Sequence, residues 1–377
     1  MKFKIFLLAI LLILTAHNDA DAEDYVGLFT TFNPSAETIA FGNQSGTAYI
    51  WGNNPLNSWS NPALLAYNNG VSWGWSHDPW LDGFVDGIYM NSSYVSYANR
   101  NIGLLLPMFN ASGNLGTTCD YGMQEAYDAN GHLVSKFHSY EICSRFAVGK
   151  KLLNVNFAQD NSLNNNSLMV SAGYDFRYIT SRLRWTPEDS SETVHGSMHG
   201  IGFLGHFTHD HWINNSKSLL KIELASGIYL MNLFKNEMHY KSGDYPLPYG
   251  TRLGFTGKVS YYFGTNSNIS MPVSFLQSNV SLCLLYDTAK YADNPSTWGQ
   301  GYEFGLFETI FLRWGEYHDK EGHIEGNTSG IGVKFNINDV VHFEYNYATF
   351  SIGSLDTAER KDDLMISVDL MKVLKKK

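Results

Sequence analysis

The sequence predicts an all-β protein, a transmembrane antiparallel β-barrel of about fourteen strands closed by an N-terminal plug. Three observations predict it. Beyond the first residues no apolar run reaches the roughly 18 residues a spanning helix needs, yet 15% of residues are aromatic and only 16% are charged. From Val71 onward apolar and polar residues alternate with period two, the mark of strands whose two faces see different surroundings. Several of these runs reach about ten residues, which suits a tilted strand crossing a bilayer better than a typical globular strand.

The chain opens MKFKIFLLAILLILTAHNDADAED. Two lysines precede an apolar run from Ile5 to Ala16, and Ala20-Asp21-Ala22 supplies a cleavage pattern, so residues 1–22 read as a secretory signal peptide. No cysteine stands at the cleavage point, which argues against a lipoprotein. The mature chain then begins near Glu23, and the outer membrane of a Gram-negative bacterium is its expected location. A net charge of -10 makes nucleic acid a poor partner.

Residues 23–69 precede the first alternating strand and are rich in Gly, Asn, Ser and Ala, a composition that suits a compact irregular plug. A closed sheet of about fourteen strands encloses a lumen that side chains alone cannot fill. Irregular backbone is tolerated there only inside protein or water. Within WSNPALLAY, the residue before the proline is pushed out of the α region, so Asn61-Pro62 fixes a bend. Asn61, Pro62 and Ala63 mark the turn from which the plug hands the chain to the wall.

Residues 70–377 read as the barrel. The expected strands lie near 70–77, 88–98, 101–108, 138–149, 153–160, 167–180, 198–208, 219–233, 250–263, 277–287, 301–314, 328–337, 340–350 and 363–374. In SLMVSAGYDFRYIT, Leu168, Val170, Ala172, Tyr174, Phe176 and Tyr178 share one face and Ser171, Gly173, Asp175 and Arg177 the other. TRLGFTGKVSYYFG and YEFGLFETIFLRWG repeat the design. The short connections NRN (99–101), KKL (150–152) and ND (338–339) have the parity of periplasmic turns, and 109–137 that of a long external loop. Segments 181–197, 234–249 and 288–300 conflict with that parity. Periodicity alone also permits the inverse arrangement, apolar faces inward, in a soluble secreted β-rich protein that binds a ligand or sugar.

Arg177, Arg252, Lys258, Glu303 and Arg313 fall on the polar faces and are the lumen-facing candidates. They could line a passage or hold the plug, pairing with Glu303 or Glu37. The plainer reading is that a wet lumen carries charges of both signs. Trp51, Trp59, Trp73, Trp75 and Trp80 suit a greasy binding track or an interfacial aromatic girdle, the girdle being favoured for the last three.

The stretch SAETIAFGNQSGTAYIWGNNPLNSWSNPALLAY resembles the N-terminal region of the FadL superfamily, especially its PorV/PorQ branch, where a segment with glycine and small residues leads to an Asn-Pro-Ala. Residues 302–370 resemble that branch's ending: a strand Glu, an Arg before an aromatic-Gly, a Gly-Ile-Gly strand and the pair Glu344-Tyr345. Asn53-Asn54-Pro55 stands where the family has acidic residues, and the terminal VLKKK replaces an aromatic end. The resemblance implies a plugged outer-membrane barrel in lipid. Its function would be protein secretion of the type IX kind, with secretion-machinery proteins and secreted cargo as partners, or FadL-like transport of a hydrophobic ligand. The first is preferred on the C-terminal match.

Other chemistry is sparse. His206, His209 and His211 are the only candidates for a metal, without a companion cysteine or a known spacing, so no metal or cofactor is expected. Cys119, Cys143 and Cys283 allow at most one bridge, Cys119 to Cys143. Asn110-Ala111-Ser112 and Asn327-Thr328-Ser329 read as polar loops. No G-x-S-x-G or comparable pair points to an enzyme.

Overall fold

Strands dominate because β-branched and aromatic residues alternate with small polar ones over long runs. The computed structural model describes residues 25–42, 46–79, 87–99, 101–128, 130–158, 164–183, 193–213, 218–241, 243–263, 273–274, 279–291, 296–319, 324–337, 340–352 and 355–369; the expected signal peptide and Trp80 lie outside them. The strands are β1 (Gly70–Pro79), β2 (Tyr89–Ala98), β3 (Ile102–Pro107), β4 (Thr117–Tyr127), β5 (Leu133–Ala158), β6 (Asn164–Arg182), β7 (Val194–Ile213), β8 (Ser218–Met231), β9 (Glu237–Tyr240), β10 (Gly243–Pro246), β11 (Gly250–Tyr262), β12 (Val273–Ser274), β13 (Asn279–Tyr291), β14 (Thr297–Leu306), β15 (Ile310–Asp319), β16 (Ile324–Ile337), β17 (Val341–Ile352) and β18 (Leu355–Val368).

Neighbouring wall strands pair antiparallel, and β1 pairs with β18, Trp75 opposite Leu364, so the sheet closes on itself. β3 and β4 share one place between β2 and β5: Tyr94 of β2 faces Pro107, and Ser92 faces Thr117. With these two counted together, and with the β9–β10 hairpin and β12 set aside, the wall is a closed antiparallel barrel of 14 strands.

The number agrees with the sequence reading, but two assignments compensate. Segments 138–149 and 153–160 are one strand, β5, and KKL is not a turn. A register shift between Lys151 and Leu153 breaks the alternation there. Conversely 301–314 is two strands, β14 and β15, which turn at Phe307 and Glu308 with φ of 58° and 49°. The supposed loop 109–137 contains β4 and the start of β5. With these corrections 181–197, 234–249 and 288–300 fall at the end opposite NRN, whereas the β11–β13 connection, 263–278, moves to the NRN end and is long for that end. By the usual rule of short periplasmic turns, β1 starts at the periplasmic end.

The two faces decide the environment. Tyr174 and Phe255 point outward, 42% and 57% exposed, whereas Arg177 and Arg252 point inward at 1%. A soluble sandwich would show the reverse. Leu224, Leu282, Leu284 and Trp314 are exposed on the same outer surface, and Trp73 and Trp75 stand on the outward face of β1. An apolar outside on a closed sheet without edges is the condition for crossing a bilayer with strands.

Residues 25–68 occupy the interior as a short helix (Ala36–Ile39) and three 3-10 turns (Leu28–Thr31, Pro55–Ser60 and Pro62–Tyr67). Phe29, Trp59 and Leu65 of this segment join wall residues Tyr94, Leu105, Ile179 and Tyr229 in one buried cluster. Each such large side chain contributes about 1.5–3 kcal/mol on burial. The two Asn-x-Ser/Thr triplets are not plain polar loops. Asn327 lies within β16, and Asn110 is buried, donating to the Asn91 carbonyl at 3.3 Å and to Thr118 Oγ1 at 2.9 Å.

Candidate functional site

The Asn-Pro-Ala turn is seated directly on the wall. Asn61 is extended (φ -164°), and its Oδ1 accepts from the Ala63 N–H at 3.0 Å, starting the 3-10 turn in which Pro62 sacrifices no donor. Its Nδ2 donates to the Thr47 carbonyl at 3.0 Å and to the Phe203 carbonyl of β7 at 3.2 Å. One side chain thus caps a turn, ties two plug segments together and bonds the wall. Asn54-Pro55 starts the preceding turn in the same way, Asn54 accepting from Leu56 N at 3.0 Å.

The wall makes room for this backbone with glycine. Gly103, Gly149, Gly173 and Gly202 lie side by side in register across β3, β5, β6 and β7. A Cβ at Gly103 would overlap the Leu65 carbonyl, at Gly149 and Gly173 the Pro62 carbonyl, and at Gly202 the Asn61 side chain. The row is a track that admits the plug main chain at van der Waals distance.

Charged side chains fasten the rest. Arg177 donates through Nε to Asp175 at 3.0 Å, through Nη1 to the Thr30 carbonyl at 2.9 Å and through Nη2 to the Trp59 carbonyl at 3.2 Å, with its guanidinium 4.4 Å over the Trp59 ring. Arg145 meets Asp175 at 2.6 Å and the Ser58 carbonyl at 2.8 Å. Arg252 bonds Tyr291 at 2.5 Å and reaches the Thr31 carbonyl. Arg313 bridges Glu303 of the wall (2.8 Å) and Glu37 of the plug (3.0 Å). Lys258 stands 5.6 Å from the Trp51 ring. These groups are buried against the plug rather than bathed in water. Around Glu37, burial alone would raise the pKa, but Lys334, Arg313 and the Asn57 amide outweigh it and hold the carboxyl at about 2.

Alternation alone put Asp175 on the polar face but did not show that Arg145 and Arg177 converge on it. Nor did it show that Lys334 pairs with both Glu37 (3.1 Å) and Glu344 (3.2 Å), or that Asp287 accepts from the Thr47 N–H (2.8 Å) and hydroxyl (2.9 Å). Those contacts join residues far apart in the chain, and only the inward parity of each position was readable.

The three histidines do not converge. His206 faces the lumen, its ring 5.7 Å from Tyr67 and its Nε2 3.4 Å from Glu223. His209 and His211 lie on the opposite face of β7, and His209 bonds Asn166 at 2.6 Å. Among the described residues no group of three or more His, Cys, Asp or Glu is placed to hold a metal ion. All three cysteines are free and buried.

Between plug and wall, at the periplasmic end, lies a cavity of about 520 Å³ lined by Trp51, Tyr67, Phe311, Lys258, Lys334 and Glu308 among others. Trp51 is fixed by an Nε1 bond to Glu223 at 3.0 Å. Burial pushes the Tyr67 hydroxyl up, keeping it neutral. The site therefore combines flat apolar surfaces with charges of both signs, Lys258 and Lys334 beside Glu308, Glu344 and Asp369, and is of small-molecule size.

What assigns the class is the wall: fourteen strands, closed, apolar outside and plugged within. No family model and no curated protein matches the sequence. Among solved structures the chain is similar to a Pseudomonas aeruginosa FadL homologue, at TM-score 0.35 and 8% identity over 92% of this chain and 100% of that one. It is similar to the Pseudomonas putida toluene transporter TodX at TM-score 0.36 and 11% identity, covering 92% and 97%. The β domain of the Bordetella autotransporter BrkA follows at TM-score 0.30 and 10% identity, covering 80% and 100%.

Proposed function

We propose that the chain is a plugged outer-membrane barrel that carries a small amphipathic molecule, with the signal peptide 1–22, the plug 23–69 and the barrel 70–377 as its parts. The observation that supports this reading is the aromatic cavity at the junction of plug and wall, whose size fits a small molecule and not a polypeptide. Lys258 suits a polar or anionic end, Lys334 being held by Glu37 and Glu344, and Trp51, Tyr67 and Phe311 suit an apolar body. A side exit has a natural place on the β5 side of the β3–β4 junction, where the pairing with β3 ends at Leu105–Ala147 and the pairing with β4 begins at Thr117–Cys143. The secretion reading rests on the resemblance of the two chain ends, and no cavity or surface described above adds to it.

The test is equilibrium dialysis of 2-naphthoate and dodecanoate against the full barrel in detergent. Saturable binding that weakens roughly tenfold in Trp51→Ala and Lys258→Ala, a loss of 1–2 kcal/mol, is expected. Absence of saturable binding to the natural chain removes the transport reading. Secreted cargo stranded in the periplasm of a deletion strain, with uptake intact, would install the secretion reading instead.

A further inference from the structure

A second cavity, of about 610 Å³, lies on the outside of the barrel, between the outward face of β6–β7 and the segment 235–239. It is lined by Phe176, Tyr178, His195, Ser197, Lys235 and Glu237 among others. We infer that this crevice binds the phosphorylated headgroup of a lipid of the outer leaflet, with the acyl chains lying along the aromatic wall below.

The crevice is built, not left over. The chain leaves β8 at the external end and runs beside the upper part of β7, with Met238 and Tyr240 turned into the interior cluster and Glu237 and His239 turned outward. Asn232 holds that fold: its Oδ1 accepts from Asn236 N at 3.0 Å, and its Nδ2 donates to the Asn236 and Leu247 carbonyls at 3.2 and 3.1 Å. Asn232 and Lys235 both take φ of 50°, a conformation non-glycine residues adopt only where the surroundings enforce it. Two bonds dock the segment on β7, Leu233 N to the His199 carbonyl at 2.9 Å and Asn236 Nδ2 to the Ser197 carbonyl at 2.9 Å.

Its chemistry has two parts. Leu233 and Phe234 are 42% and 68% exposed, and the Phe234 ring meets His199 edge-on at 5.1 Å. Beside them the wall presents Tyr174, Phe176 and Tyr178, the last stacked on His195 at 5.5 Å. Apolar side chains on the outer surface of a membrane barrel face acyl chains, which selects a lipid over a free solute. Above this surface, Lys235 stands 4.4 Å over the Tyr249 ring with its ammonium exposed. His195 engages Thr180 Oγ1 through Nδ1 at 3.1 Å, and its Nε2 is a donor for a ligand in the tautomer in which Nδ1 accepts from that hydroxyl. Of the acids nearby, Asp244 is taken up by His239 at 2.7 Å, while Glu237 lines the crevice and opposes an anion. An exposed cation over a tyrosine ring, a histidine ring nitrogen and an aromatic floor match a phosphate on a multi-chain lipid.

The test is native mass spectrometry of the full chain released from detergent micelles, with lipid A carrying its phosphates as the probe. One retained copy is expected on the natural protein, roughly tenfold weaker in Lys235→Gln. Glu237→Gln removes a repulsion and should tighten retention. Both positions are exposed, and unchanged heat-modifiable migration verifies the fold. Equal retention of dephosphorylated lipid A, or no change in Lys235→Gln, overturns the assignment. Displacement by excess inorganic phosphate overturns the choice of a lipid, and failure of that displacement supports it.

Discussion

Glu37 of the plug and Arg313 of β15 meet at 3.0 Å with both side chains at 0% exposure. Arg313 also holds Glu303 of β14 and accepts the company of Asn346, whose Oδ1 lies 2.7 Å from Nη1. Lys334 approaches Glu37 from β16 and Tyr49 donates to it at 2.9 Å. A plug carboxylate is therefore satisfied only when several wall strands are in register around it. The carbonyls of Thr30 and Trp59 likewise accept from Arg177 of the wall. Plug and wall form one cooperative unit, so a solute could pass the lumen only by disturbing these bonds or by leaving sideways.

Removing Arg313 should show how much the tie carries. Arg313→Met leaves Glu37 and Glu303 facing each other in a buried site, and loss of one partner from a buried pair costs about 3–5 kcal/mol. Urea unfolding in detergent is expected to register a loss of that size. Adding Glu37→Gln should recover part of it, because the stranded charge is gone. An unaltered urea midpoint in Arg313→Met would mean the plug is held by other contacts.

Acid should loosen the same tie. The Glu37 carboxyl is held at about 2, against 4.5 as its ordinary value. The unfolded chain therefore binds the proton first, and the stabilisation is full above about pH 4.5 and lost as pH falls toward 2. Thermal conversion of the folded to the unfolded gel band, followed from pH 7 downward, should move to lower temperature across that window. Glu37→Gln should flatten the dependence; an equally steep curve in that variant would assign it to other groups.

The glycine track predicts a different kind of defect. Gly173→Val puts a branched side chain where Pro62 and Ala63 lie, and overpacking of this kind costs about 1–3 kcal/mol, more when main chain must move. The wall strands keep their ladder, so the barrel should still show heat-modifiable migration. The segment around Asn61 should become cleavable by added protease. A plug as resistant as in the natural chain would show that the track is not its seat.

How far the sequence revealed this depended on where its signals were local. The barrel class was legible because alternation is a local property, and Tyr174 opposite Arg177 in face carried it. Individual strands were misplaced where the alternation slips or the turn lacks its usual residues. The register shift at Lys151–Leu153 imitates a break in β5. The turn at Phe307-Glu308 uses no Gly, Asn or Asp, so nothing in FETI announced it. β4 was hidden because TTCDYGMQEAY alternates only weakly, with Thr117 and Glu125 among the apolar residues of one face, and shifts register after Asp120. The bend at Asn61-Pro62 was readable from proline chemistry. Its partners, Thr47 and Phe203, were not, since closing the barrel alone brings them near.

The cysteines allow a last check on the register of the wall. Cys119 of β4 lies opposite Glu141, and Cys143 of β5 lies opposite Thr117, so the two thiols are offset along the ladder instead of facing each other. A disulfide requires Cβ atoms about 3.5–4.5 Å apart, and with this offset the pair remains two free thiols at 0% exposure. Cys283 is as deeply buried on β13. A maleimide should therefore leave the folded barrel unlabelled and modify every cysteine once urea and heat have unfolded it, with no reductant needed. If two thiols stay blocked in the unfolded chain until a reductant is added, Cys119 and Cys143 are bonded. The β4–β5 register would then have to slide by two residues, carrying the inward Glu141 and Cys143 away from their present neighbours.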